Sequence, residues 1–505
     1  MKKIFPIDWK KMHPGHAPMS TDFYYTQLAN KVLRVLVDDG FGEILEEADR
    51  ARDAAVRLTA WFEDLCNGGR LWGLVNDVCN ERHGKPLPFY DTSKYNPGEP
   101  NLQDITLLLW DIIQSQFDDR VINPENPALM MAAMHLYDIF DEEYETAPET
   151  DEMIAFLNNP ALGSDYWQAR KAMEWFALGS YLSLRTNIHF DNEVSNITDD
   201  EDKDVIIYHL LLSHAFNDTH NLLALTASEW LSKAYGHRME LDKTMTKSRL
   251  YDIVALHGDT VLVRDSLNGK EVSLETESFD PEWAKRHLPS AKQILCNIIG
   301  LNGKYYQFWA MMTNPGEKVV SDYKKRRAQE ETERDNVKYT AEMFEKASEG
   351  KPVVFVKGVD EYMDFQTKKM GSKVSDDFRR ETERYLREDA EDGMVALMRS
   401  DEAGLLSIMS GIPAIKAPNN PYYDEAYARD NALIFIVDPQ IIDYSSLCTL
   451  ISHNYLPDAA VNSLQGYEHG RDLVQQNIQF LVDYYFAQHN TSTRSSSQNA
   501  KINSK

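Results

Sequence analysis

The sequence predicts a mainly α, multi-domain α+β protein with a small β-barrel inserted between two helical regions. Three observations lead there. Apolar residues recur at helical spacing over residues 20–240, short β-rich runs broken by two Asn-Gly turns fill about 248–312, and helical periodicity then returns. With 505 residues, 43% of them hydrophobic and 26% charged, each region has enough apolar side chain for its own core. The expected organisation is a helical domain over 1–240, a barrel of the SH3 or oligonucleotide-binding kind over 248–312, a mainly helical domain over 313–489, and a disordered tail over 490–505.

Within the first region, Ser20, Thr21 and Asp22 supply N-cap chemistry for a helix over 23–37, which Asp39-Gly40 ends. Ile44, Ala48, Ala51, Ala55, Leu58, Phe62 and Leu65 then advance by alternating fours and threes, a continuous apolar stripe on one helix. Asn101 is placed to cap a helix through Leu102, Ile105, Leu109 and Ile112, after a loop kept extended by Pro97 and Pro100. Further helices are expected over 128–140, 167–184 and 204–234, with 141–152 a solvated acidic connection.

The barrel is read from five short runs: 250–256, 260–264, 270–274, 294–299 and 304–311. Asn268-Gly269 and Asn302-Gly303 mark hairpins, because both residues of a type I′ turn need positive φ. Tyr305, Tyr306, Phe308 and Trp309 crowd the last strand, where period-2 alternation sends about half of the rings inward. Beyond it, 317–350 reads as a charged helix in which Lys324, Lys325, Arg326 and Arg327 precede Glu330, Glu331 and Glu333. A strand is expected at 353–356, helices at 376–399 and 402–409, a Pro-rich loop at 413–421, and a closing helix at 471–485. Residues 432–437 are apolar and fit either a strand or a buried helix.

The formal net charge is −27, and residues 1–200 hold 34 acidic against 17 basic side chains. Such a surface repels a phosphate backbone, which argues against direct DNA binding and leaves protein as the expected partner. Apolar runs such as Leu107-Leu108-Leu109-Trp110 fall far short of the ~20 residues that cross a bilayer. The basic opening has no apolar stretch before Asp8 and Lys10, so a cytoplasmic location is expected. Cys66, Cys79, Cys296 and Cys448 are scattered, as reduced core thiols are, and form no Cys-x-x-Cys pair.

No phosphate loop, dinucleotide fingerprint, nucleophile elbow or His-Glu-x-x-His occurs, so the sequence nominates no catalytic residue, metal ligand or cofactor. His214 and Asp218 have i,i+4 spacing, but His209 and His220 point elsewhere around the same expected helix. The polar stretch most suggestive of a binding site is Glu468, His469 and Arg471, beside two glycines and before an apolar helix, where an anion or a plain helix start both fit. A non-enzymatic binding or scaffold protein is the expected function. The alternatives are an enzyme using that C-terminal site and an RNA- or ribosome-associated protein using the barrel and the Lys324 to Arg327 run.

Ile4-Phe5-Pro6-Ile7-Asp8-Trp9 with Thr21-Asp22-Phe23-Tyr24-Tyr25 resembles the N-terminus of a family of uncharacterised bacterial proteins of the Bacteroides type. Residues 250–274 and 294–311 are similar to the small β-domain of proteins carrying a zinc motif of the kind that ends the SecA translocase. The clustered cysteines of that motif are absent here, so the resemblance implies the β-domain without its zinc. Neither resemblance implies an activity.

Overall fold

A computed structural model of the chain describes residues 3–40, 48–117, 120–195, 197, 207, 221–235, 249–372, 375–388, 390–456 and 473–486. In chain order, the helices used below are α1 (Pro6–Trp9), α2 (Asp22–Asp38), α3 (Ala48–Cys66), α4 (Arg70–His83), α5 (Leu102–Gln114), α6 (Pro127–Tyr144), α7 (Asp151–Leu157), α8 (Tyr166–Glu174) and α9 (Ala227–Tyr235). They continue with α10 (Pro281–His287), α11 (Glu317–Ala347), α12 (Gly358–Asp364), α13 (Asp376–Glu388), α14 (Ile434–Val437), α15 (Tyr444–Ser452) and α16 (Ile478–Tyr485). The chain forms two compact units built from separated stretches. One holds Met1–Val78, Asn96–Asn101 and His135–Arg327; the other holds Cys79–Tyr95, Leu102–Met134 and Ala328–Lys505.

In the first unit α2 packs on α3, burying Leu28, Val32 and Leu36 from one and Ala51, Ala55, Leu58 and Phe62 from the other. From Ala51 to Leu65 the four-three stripe is thus the core face of α3, as its period requires, while Ile44 lies outside the described residues. Phe62 stacks on Phe140 with ring centroids 4.8 Å apart, and Trp61 meets the same ring edge-on at 5.6 Å.

The same unit carries the barrel: β1 (Arg249–His257), β2 (Thr260–Asp265), β3 (Glu271–Glu275), β4 (Gln293–Leu301) and β5 (Lys304–Thr313) close in the order β1-β2-β3-β5-β4. Every neighbouring pair is antiparallel except β3 with β5, where Leu274 lies opposite Tyr305. Asn302 (φ 52°) and Gly303 (φ 76°) join the paired residues Leu301 and Lys304, the two-residue hairpin expected of Asn-Gly. At the other hairpin the buried Asp265 carboxylate accepts from the amides of Leu267 and Asn268 at 2.8 and 3.2 Å, and Arg249 pairs with it at 3.1 Å. Val261, Val263, Val272, Leu274, Ile294, Cys296 and Ile298 fill the interior.

The barrel's last strand rests on α8. Tyr166 stacks on Tyr306 at 4.6 Å and donates its hydroxyl proton to the Gln307 carbonyl at 2.8 Å, and the Arg170 guanidinium lies over the Phe308 ring at 5.4 Å. Tyr306 and Phe308 are buried, so these rings serve packing and are not open to a stacking base.

In the second unit, α5 is buried from Asp104 to Gln114, so its polar groups need partners inside. Tyr95 donates to Asp104 at 2.8 Å and Tyr484 to Asp111 at 2.7 Å, while Trp110 joins Phe89, Phe480 and Tyr484 in an aromatic cluster. A three-stranded antiparallel sheet, β6 (Val353–Lys357), β7 (Met394–Ser400) and β8 (Gly404–Ile408), has the order β6-β7-β8.

Two helical expectations are corrected by this sheet. The helix expected over 376–399 ends at Glu388, and its remainder is β7; the helix expected over 402–409 is the strand β8. Met394 to Met398 are all buried, because Val395 and Leu397 join a core with Phe344 and Leu386 while α15 packs against β7 as well. A strand covered on both sides loses the alternation that reveals strands. The apolar run at 432–437 resolves as helix, with α14 in it. Of the helix expected over 204–234, residues 221–226 form turn and loop, so the helix at its end begins only at Ala227 (α9); residues 204–206 and 208–220, like the tail after Phe486, lie outside the described residues.

Candidate functional site

The first unit buries an imidazole among carboxylates. His13, with a fully buried side chain, has Nδ1 3.5 Å from Asp22 Oδ1 and Nε2 3.5 Å from Glu63 Oε2. Each carboxylate is fixed by its other oxygen: the Met19 amide donates to Asp22 Oδ2 at 3.1 Å, and the Thr150 hydroxyl to Glu63 Oε1 at 2.6 Å. Trp9 lies edge-on to His13 at 5.6 Å and stacks on Tyr25 at 5.6 Å, sealing the cluster.

Asp64 takes a different set of donors. It accepts from the Leu71 and Trp72 amides at the start of α4, at 3.3 and 2.9 Å, and from the Tyr181 hydroxyl at 2.9 Å. Gly68 and Gly69, at φ 95° and 61°, turn the chain back so that these amides reach it. Burial pushes the Asp64 carboxyl above the usual carboxylate range, against the pull of its three donors.

Beside Glu63 and Asp64 there is a cavity of about 20 Å³. That is room for one water and is far below the roughly 300 Å³ at which pockets for organic ligands begin. The cluster can hold protons and a water, and it has no space for a substrate. Among the described residues no group of three or more metal-ligating side chains converges.

A large cleft, about 610 Å³, lies on the barrel between α10 and the strand ends. Its shape follows from local chemistry. The backbone and hydroxyl of Thr276 both donate to the Asp259 carbonyl, at 2.8 and 2.9 Å, tying the β1–β2 turn to the end of β3. Asp280 caps α10 by accepting from the Trp283 amide at 2.8 Å, and Trp283 stacks on Phe279, which lines the cleft. Leu256 leaves 45% of its surface exposed at this cleft. Asp259, Glu275 and Glu277 line it with Lys285 and Lys304, and Lys304 is already paired with Glu275 at 3.3 Å. The lining is therefore an apolar patch with a surplus of carboxylate.

A family model described as protein of unknown function (DUF3843) matches residues 3–256 and 277–487. The chain belongs to this family. No curated protein and no solved structure matches it. Among the described residues no helix is long and apolar enough to cross a membrane.

Glu468, His469 and Arg471, nominated from sequence, lie outside the described residues, as do His209, His214, Asp218 and His220. Lys324, Lys325 and Arg326 are exposed on α11, with Arg326 over the Tyr323 ring at 5.9 Å. Sequence reasoning passed over both the His13 cluster and the barrel cleft. Their residues are far apart in the chain, so no local spacing announces them. The one available signal was Gly68-Gly69 just after Asp64, which marks a tight return.

Proposed function

We propose that this DUF3843 protein is a non-enzymatic binding protein whose barrel cleft receives a segment of a partner protein carrying Lys or Arg beside an apolar side chain. The observation that carries this is the carboxylate surplus around exposed Leu256 in the large cleft. The barrel's strand order, its parallel β3–β5 closure and the helix between β3 and β4 follow the plan of oligonucleotide-binding barrels, which bind near the β1–β2 and β4–β5 loops. The cleft sits at that end, since Gly258 and Asp259 form the first loop and Lys304 follows the second. Its charge, with a net −27 for the chain, selects against phosphate and for a basic peptide. The lining's polar groups are Thr hydroxyls, Lys ammoniums and carboxylates around an apolar patch, a set suited to recognising a partner segment. Four unbridged cysteines favour a reducing compartment such as a bacterial cytoplasm.

A random-peptide selection on the full chain tests this reading. Enriched sequences should pair Lys or Arg with an apolar neighbour and should be lost on the Asp259→Lys, Glu277→Lys double variant. Enrichment of acidic peptides, or unchanged binding by the double variant, overturns it.

A further inference from the structure

A second cleft in the first unit, distinct from the barrel, has about 290 Å³ between α4, the end of α7 and α9. Arg70, Gly73, Leu74 and Asp77 line it from α4 at i, i+3, i+4 and i+7, which is one face of a helix. Leu157, Trp230 and Tyr235 supply an apolar and aromatic wall, with Trp230 fixed by stacking on Phe176 at 4.7 Å. The Tyr235 hydroxyl donates to the Leu157 carbonyl at 2.8 Å, which holds the end of α7 against α9.

Gly73 is the informative residue. Glycine inside a helix sacrifices stability relative to alanine. Here no close neighbour requires it, because a Cβ at Gly73 would meet nothing within 4 Å. What the missing side chain leaves is open volume in the cleft. Two cations, Arg70 and Lys233, line that volume against one carboxylate, Asp77.

We propose that this cleft binds a small aromatic monocarboxylate, its ring against the half-buried Tyr235, with buried Trp230 forming the floor behind it, and its carboxylate on the Arg70 guanidinium, whose planar fork matches two oxygens. Asp77, seven residues along α4, sets the direction by repelling the carboxylate from its own end. The volume, near the lower limit for enclosing an organic ligand, fits one ring system with a short acid side chain.

The test uses the full chain with phenylacetate, 3-phenylpropionate and indole-3-acetate, alongside 3-phenylpropanamide and 3-phenylpropylamine. Calorimetric titration should give saturable binding of at least one acid and none of the amide or amine. Arg70→Ala should weaken that binding at least tenfold. Gly73→Leu should abolish it while leaving the melting temperature unchanged or higher, which separates loss of the cleft from loss of the fold. Failure of all three acids, equal binding of the amine, or full affinity in Gly73→Leu overturns the proposal.

Discussion

The barrel and the β6-β7-β8 sheet are both small antiparallel-rich assemblies, yet they are specified in different ways. The barrel hairpins are written locally: a positive-φ glycine sits in each turn, Gly258, Gly269 and Gly303, with Asn-Gly at two of them, and strands such as β3 have residues that alternate exposed and buried. The second sheet depends on what covers it. β7 is buried from Met394 to Met398, and the β7–β8 turn is seated against α11, where a Cβ on Gly404 would come 2.5 Å from the Val337 carbonyl and 2.7 Å from the Thr340 Cβ. Local turn chemistry builds one, and long-range close packing builds the other.

The contrast is broken most directly at the glycines. Gly404→Ala should destabilise by more than about 3 kcal/mol, since it adds a clash with backbone to a residue at φ 80°. Denaturant unfolding measures this, and a loss below about 1 kcal/mol would remove the close-packing half of the comparison. Asp64 extends the same half to the helical region. Asp64→Ala strands two amides and a hydroxyl and should cost about 3 kcal/mol in the same experiment.

Asp64 also predicts a pH dependence. Its folded-state pKa is raised by burial, so the fold favours the protonated acid. That stability is complete below the ordinary Asp value of about 3.9 and is lost as pH rises through the elevated folded value. Melting temperature against pH should show this decline in the wild type and lack it in Asp64→Asn.

In the barrel the effects should be smaller. Gly269 and Gly303 sit at φ 73° and 76°, but nothing lies within 4 Å of a Cβ at either. Replacing either with Val should cost about 1–3 kcal/mol from backbone strain alone, and a loss matching that of Gly404→Ala would erase the distinction. The smallest effect concerns reactivity. Burial pushes the thiols of Cys66 and Cys79 up to about 12 and raises those of Cys296 and Cys448. At pH 8 the native chain should react slowly with a thiol-specific reagent, Cys296 in the barrel core last, while denaturant makes all four react at once.

The same distinction explains what the sequence disclosed. The barrel's five strands, its two Asn-Gly turns and the α3 stripe were legible because each has its own period or turn residue. Residues 394–398 were misread as helix because burial on both faces erased alternation, and Gly404 gave no hint of the helix seated on it. The candidate clefts were the least legible. Asp259, Glu277 and Leu256 meet only once β1, β2 and β3 have paired, and Gly73 looks like a helix defect until the space above it is seen.

Fluorescence anisotropy on the full chain separates recognition of protein by the barrel's cleft from recognition of nucleic acid. A labelled peptide with Lys or Arg beside an apolar residue should bind saturably, while a labelled single-stranded oligonucleotide should not bind. Binding should weaken as salt rises and disappear in the Asp259→Lys, Glu277→Lys variant. Saturable binding of the oligonucleotide with none of the peptide would contradict the account.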